Sequence, residues 1–141
     1  MVMGAQETLS GAWGSRTFTS DDMHVGETAN AIEKRFPGRI KAVNKDVYRN
    51  DGSKLTDFDI ELVDNVVVQV KIDNARGLEG QIIRTSNEMK QIGMHQEVIG
   101  YAPGLDLSVK AVRIRIANAE KQGIAIFTTL DDLFNYLSSK Y

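Results

Sequence analysis

Cysteine is absent from this 141-residue chain. That excludes disulfides and every thiolate metal site, and leaves oxygen or imidazole to ligate an ion. Imidazole is scarce as well: His24 and His95 are the two histidines, too few and too far apart to point to zinc. Long apolar runs are also missing. No stretch approaches the roughly 18 consecutive apolar residues of a membrane span, and the N-terminus lacks the basic, apolar, small-residue order of a secretory signal. The chain is therefore expected to be cytosolic or a piece cut from a longer protein. Charge of one sign is lacking too. A net charge of −2 provides no global basic field, so contact with nucleic acid would need a local patch, and a simple DNA-coating role is disfavoured. What is present is a hydrophobic content of 42%, which argues against disorder and for one domain with a sizeable core.

The most informative stretch is 55–73, LTDFDIELVDNVVVQVKID. Phe58, Ile60 and Leu62 alternate with Asp57, Asp59 and Glu61, and beyond Asp64 and Asn65 a second run alternates Val66, Val68, Val70 and Ile72 with Val67, Gln69, Lys71 and Asp73. Two adjacent strands follow, each with one oily face. A two-residue turn at Asp64 and Asn65 would send the polar rows to opposite faces. A three-residue loop over 63–65 instead places Asp59 opposite Gln69 and Asp57 opposite Lys71, and unites the apolar rows. Asn65 tolerates the left-handed conformation such a loop needs at its last position. The odd loop is the expectation.

Around this hairpin, residues 1–19 show no sustained period and read as a mobile lead-in pinned by Trp13 or Phe18, with the folded domain over 20–141. Ser20, followed by Asp21 and Asp22, predicts a helix start with acids in the first turn, and the pattern runs to Phe36 before Pro37 and Gly38 stop it. Val25, Ala29, Ile32 and Phe36 form its buried stripe, with Glu27 off it. A strand over 39–48 and a turn over 49–54 containing Asp51 and Gly52 lead into the hairpin. Leu78, Ile82, Thr85, Met89 and Ile92 recur at helical spacing up to a Gly93 cap, with Gln81, Arg84 and Glu88 on the other side. Runs at 97–102 and 123–128 read as buried strands. The segment between them, 108–122, alternates like a strand at Val112, Ile114 and Ile116 and fits a helix at Val109, Val112, Ile116 and Ala119. The helix is favoured, because two strands separated by about a dozen residues suit a parallel crossover. Thr129 caps a last helix with Asp132 in the third position, packed down by Leu130, Leu133, Phe134 and Leu137. The fold class is α/β in the order αβββαβαβα, an antiparallel meander followed by a parallel βαβ unit.

One constellation carries chemical content: Asp59, then Gln69 and Lys71, with Glu27 upstream. The Asp59 carboxylate, the Gln69 side-chain carbonyl and the Val70 backbone carbonyl are hard oxygen donors of the kind Mg²⁺ or Mn²⁺ takes. Beside such an ion, Lys71 could orient a water or stabilise charge on a phosphate, and phosphodiester hydrolysis is the natural reaction. The bland alternative is that acids and lysines on the outer face of a hairpin are ordinary solubilising residues. Lys41, Lys45 and Arg49, with Lys54, Arg76 and Arg84, offer a phosphate-contacting rim or a merely solvated surface. Tyr101 offers a base-stacking ring or strand-end packing.

The spacing of Asp59 and Gln69-Val70-Lys71, on this element order, resembles the PD-(D/E)XK nuclease superfamily with its restriction-endonuclease-like fold. Its signature is an acid, a gap, then Glu or Gln, any residue, and Lys. The resemblance covers roughly 21–137. It implies catalytic roles for Glu27, Asp59, Gln69 and Lys71, a metal held by Glu27, Asp59, Gln69 and Val70, and substrate contacts from Gln81, Arg84 and Lys45. Mg²⁺ or Mn²⁺ is the implied ion, with Zn²⁺ as an alternative. Two departures stand out: Phe58 occupies the place of the motif's proline, and Gln69 replaces the commoner acid, which shifts metal affinity onto Glu27 and Asp59. Small size, the lead-in and the segment 77–85 (GLEGQIIRT) look most like the C-terminal nuclease toxin domains of contact-dependent growth inhibition and related polymorphic toxins. That likeness implies delivery from the end of a larger exported protein, action on DNA or tRNA in a bacterial cytoplasm, and a cognate immunity protein. A junction-resolvase-like housekeeping nuclease and a non-catalytic nuclease-fold binding module are the competing readings.

Overall fold

A computed structural model of the chain describes the backbone at residues 5–10, 15–71 and 78–141, and the side chains at 16–71, 80 and 82–141. The protein is mixed α/β, with four helices, a two-stranded antiparallel sheet and a five-stranded mixed sheet among the described residues. Its residues group into two compact units, Met1–Val68 and Gln69–Tyr141.

The first unit opens with β1 (Ala5–Ser10) and β2 (Ser15–Ser20), an antiparallel pair where the sequence suggests a mobile lead-in. Its anchoring is remote rather than local. Helix α1 (Met23–Arg35) grips β2 with two side chains one turn apart. Asn30 Oδ1 accepts the Phe18 N–H at 2.7 Å while Asn30 Nδ2 donates to the Phe18 carbonyl at 3.0 Å, as a neighbouring strand would. Glu33 receives the Arg16 N–H and the Arg16 guanidinium, each at 3.1 Å. Of the two expected anchors, Phe18 is buried, and Trp13 lies outside the described residues.

Helix α1 begins after Asp22, not at Ser20, which ends β2. Asp22 Oδ1 accepts from His24 N at 2.9 Å and Val25 N at 3.4 Å, so the acid caps the helix instead of lying in its first turn. Val25, Ala29, Ile32 and Phe36 are buried, as the periodicity predicts. They are turned toward β3 (Ile40–Tyr48) and β4 (Lys54–Leu62), where Phe58, Ile60 and Leu62 are closed to solvent. Each such side chain contributes about 1.5–3 kcal/mol of burial.

Strand β4 turns through 63–65 into β5 (Val66–Val70), and Ile60 pairs with Val68 while Glu61 pairs with Val67. That register belongs to the three-residue loop, and Asn65 takes φ 61° at its last position.

The second unit takes up β5 at Gln69 and continues with α2 (Leu78–Gln91), β6 (Glu97–Tyr101), α3 (Lys110–Lys121), β7 (Ile126–Phe127) and α4 (Leu130–Ser138). Helix α2 closes at Gly93, φ 84°, with Met94 N bonded to Met89 O at 2.8 Å and Gly93 N to Lys90 O at 3.2 Å. This paired closure needs a left-handed residue, which glycine supplies without strain. Within the 108–122 segment α3 is helical, as favoured, although Val109 of the expected stripe lies exposed just before it, and the helix carries the chain between parallel strands that pair Gly100 with Ile126 and Tyr101 with Phe127. Strand β7 is shorter than the expected 123–128. Gly123 and Ile124 instead close α3, their N–H groups bonding Glu120 O at 2.9 Å and Ala119 O at 3.0 Å. Thr129 caps α4, its hydroxyl accepting the Asp132 N–H at 3.1 Å, and Leu133 and Leu137 are fully buried.

The larger sheet runs in the order β3-β4-β5-β6-β7. No helix of the described residues is long and apolar enough to cross a membrane.

Candidate functional site

Alternation along β4 sends Phe58, Ile60 and Leu62 into the core, leaving Asp57, Asp59 and Glu61 for the other face. Asp59 is half-buried there and lines a cleft of about 390 Å³. Asp21 and Asp22, from the approach to α1, form one side of it; Asn44 and Asp46 of β3, with Lys54 and Asp57 of β4, complete it. The hairpin turn over 49–53 fixes the register that sets Asp46 directly opposite Asp57. Two like charges in that position repel, and Lys54 bridges them, its Nζ 3.3 Å from Asp46 Oδ1 and 2.5 Å from Asp57 Oδ1. Hydrogen bonding with Asp57, then with Lys54, holds the Asp46 carboxyl below its ordinary 3.8. Asp57 and then Asp46 push the Lys54 ammonium above its ordinary 10.5. One lysine against five aspartates leaves the cleft wall negative, so a phosphate could approach Asp59 only together with a cation.

Sequence reasoning finds Asp59 and its strand-mate Asp57 but not the rest of the wall. Asp21 and Asp22 read as first-turn helix acids, and Asp46 is not singled out within the 39–48 strand. Asn44 takes φ 54° inside β3 and donates through Nδ2 to Ser20 Oγ. The turn at Asp51 and Gly52 is the one signal that could have brought Asp46 and Asp57 together in advance.

The remaining site residues of the first unit are placed differently. Glu27 points to solvent from α1, its side chain 66% exposed and Oε2 4.0 Å from His24 Nδ1, and it is not part of the cleft wall. Lys45 faces Glu61 instead of an open rim: its Nζ is 3.2 Å from Glu61 Oε1, and Lys41 Nζ is 4.0 Å from Oε2. Glu61 is only 2% exposed, which the alternating pattern does not reveal. Arg49 is occupied in its own turn, donating to the Lys54 carbonyl at 2.7 Å.

In the second unit, Gln69 and Val70 are buried within β5. Lys71 is half-buried, and its N–H donates to Tyr101 O at 2.9 Å. Arg84 is exposed on α2, and the side chains of Gln81 and Arg76 lie outside the described residues. Tyr101 is buried, and that burial pushes its phenol above the ordinary value of 10.0; it packs at the strand end and presents no open face for a base.

Among the described residues no three His, Asp or Glu side chains gather as an ion site. Glu27, exposed beside His24, does not fit the ligand role that the family resemblance implies for it. The other implied donors, the Asp59 carboxylate, the Gln69 amide oxygen and the Val70 carbonyl, are all hard oxygens. Their chemistry suits Mg²⁺ or Mn²⁺ better than Zn²⁺.

No protein-family model, no curated protein and no solved structure matches the chain.

Proposed function

We propose that this chain is a metal-dependent endonuclease of the PD-(D/E)XK kind, with a restriction-endonuclease-like sheet, hydrolysing phosphodiester bonds of DNA or tRNA. In this proposal it is the effector domain of an interbacterial toxin, acting in the cytoplasm of a neighbouring cell and restrained by an immunity protein. The observation that carries it is Asp59 on the middle strand of the meander, lining an open acid-walled cleft, with Gln69 and Val70 ending the next strand across a three-residue loop and Lys71 directly after them.

The chemistry assigned to each residue is simple. The Asp59 carboxylate, the Gln69 amide oxygen and the Val70 carbonyl would hold a divalent ion, which supplies a water of lowered pKa and neutralises phosphate charge. The Lys71 ammonium orients the attacking water and stabilises negative charge gathering on the phosphoryl oxygens. Water oxygen bonds to phosphorus as the bond to the leaving sugar oxygen breaks, and the leaving oxygen takes up a proton. A non-catalytic nuclease-fold module is the second reading, favoured by the exposure of Glu27.

Cleavage of plasmid DNA and total tRNA separates the two, with Mg²⁺, Mn²⁺, Zn²⁺ or EDTA present and with wild type beside Asp59→Ala, Lys71→Ala and Glu27→Ala. The nuclease is expected to cut one substrate with Mg²⁺ or Mn²⁺, and to lose about 100-fold or more in the Asp59 and Lys71 variants. Glu27→Ala is expected to stay within about threefold, since its carboxylate is outside the cleft. An absence of cutting under every metal, or undiminished cutting by the Asp59 variant, would overturn the proposal.

A further inference from the structure

The second unit carries a cleft of about 610 Å³ that the nuclease proposal does not use. Ile116 and Glu120 of α3, Ile126 and Phe127 of β7, and Asp132 and Asn135 of α4 form most of its wall. It is a groove beside β7 whose wall takes in both the last turn of α3 at Glu120 and the first turn of α4 at Asp132. Its volume falls within the range of about 300–1,000 Å³ usual for small-molecule sites.

The lining mixes apolar and acidic groups. Leu107, which is 47% exposed, joins Ile116, Ile126 and Phe127. The Phe127 ring lies 5.1 Å from that of Tyr136, giving an aromatic floor. The same α3 and α4 faces carry the carboxylates of Glu120 and Asp132, neither of them in an ion pair among the described residues. Among the described residues no lysine or arginine lines the cleft. Lys140, whose Nζ lies over the Tyr136 ring at 5.1 Å, is already paired with Glu97 at 2.8 Å.

These features choose the sign of the ligand. The start of α4 would ordinarily draw an anion to its free N–H groups. Here Asp131 and Asp132 fill its first turn and Thr129 takes the Asp132 N–H, so an anion would meet like charge. A cation would meet two unpaired carboxylates, and an apolar body on it would cover surface otherwise left in water.

We propose that this cleft binds a small organic cation with a flat apolar body, an aromatic amine in chemical class. Its ring covers Phe127 and Ile116, its nitrogen is directed to Glu120 and Asp132, and the Asn135 amide oxygen is a further acceptor. The site is independent of whether the chain cuts nucleic acid.

Amide NMR titration of the full chain tests it with three probes: tryptamine, its acid counterpart indole-3-propionate, and spermidine, which has charge without an aromatic body. Tryptamine is expected to give saturable shifts confined to 107–139. Indole-3-propionate and spermidine should each bind at least about tenfold more weakly. Glu120→Gln with Asp132→Asn should weaken tryptamine by at least about tenfold while the spectrum stays dispersed, since both side chains are on the surface. Shifts that do not saturate or that scatter over the chain would overturn the proposal. So would equal binding of the acid or of spermidine, or an unchanged affinity in the double variant.

Discussion

Removing the Glu33 carboxylate should be the costliest polar substitution in the first unit. Its side chain is 2% exposed and receives three donors: Arg16 Nη2 at 3.1 Å, Arg16 N at 3.1 Å, and Gly38 N at 3.2 Å. Arg16 Nη2 also holds the Ile40 carbonyl at 2.9 Å, so one ion pair ties together β2, α1 and the start of β3. Glu33→Ala removes the oxygens that the Arg16 and Gly38 backbone N–H groups use and the carboxylate that faces the Arg16 guanidinium. Losing one partner of a buried pair costs about 3–5 kcal/mol, and the lower end applies here because Arg16, 18% exposed, regains some water. Glu33→Gln keeps an acceptor oxygen and should lose about 1–2 kcal/mol. The sharper test is Arg16→Met with Glu33→Leu. An isolated buried pair can be exchanged for apolar side chains at little cost. This one should still lose about 1 kcal/mol or more, because leucine offers no oxygen to the Gly38 N–H, and none in place of Glu33 to the N–H at position 16. Urea unfolding reads the change: with a slope of about 1–3 kcal/mol per molar, a 3 kcal/mol loss moves the midpoint by about 1 M or more. Amide hydrogen exchange along α1 assigns the loss to this unit. Glu33→Ala within about 1 kcal/mol of wild type, or a double variant as stable as wild type, would refute the reasoning.

Asn65→Gly should change stability by less than about 0.5 kcal/mol, whereas Asn65→Val, forced to φ near 61°, should lose about 1–2 kcal/mol in the same urea assay. Lys45→Met should lose about 1–2 kcal/mol through the buried Glu61. It should leave the salt dependence of nucleic-acid binding unchanged, where loss of a phosphate contact would lower the log–log slope by about 1. Burial works to raise the Glu97 carboxyl, but hydrogen bonds from Lys140 and then Tyr136 outweigh it and hold the group below its ordinary 4.5. A carboxylate depressed on folding stabilises fully above that ordinary value, and the contribution disappears as pH falls through the folded one. Glu97→Gln should therefore be less stable than wild type near about pH 7, and in an acid titration followed by circular dichroism the gap should persist down to the ordinary 4.5 and close as pH falls through the lower folded value.

Where one face of an element carries the signal, the sequence is a sufficient guide. The Val25-Ala29-Ile32-Phe36 stripe, the closure of α2 at Gly93 and the cap at Thr129 all depend on residues within a turn or two of one another. The loop at 63–65 is legible because only one register unites the apolar rows. The hairpin of β1 and β2 is not legible, since Phe18 and Arg16 are held by Asn30 and Glu33, more than ten positions on. Glu33 and Glu61 are invisible for the same reason: an acid in an amphipathic pattern looks solvated until its distant cation is known. Asp59 could be singled out from spacing, but the acids around it are gathered by the approach to α1 and by the pairing of β3 with β4, neither of which has a local signature.

The outer strands of the five-stranded sheet bear on how the protein behaves in concentrated solution. A long, flat edge offers a row of free N–H and carbonyl groups on which another chain can add as a new strand. Strand β3 is poorly suited to such templating: Asn44 breaks its extended path with φ 54°, its pairing with β4 shifts register near both ends, and Lys41 and Lys45 project from it. At the opposite side β7 is only two residues long. Irregularity at one border and brevity at the other thus act as a barrier to intermolecular sheet growth. A β-branched residue in place of Asn44 would resist φ 54° and cost stability as at Asn65, and a strand that straightened in response would be the better template for aggregation.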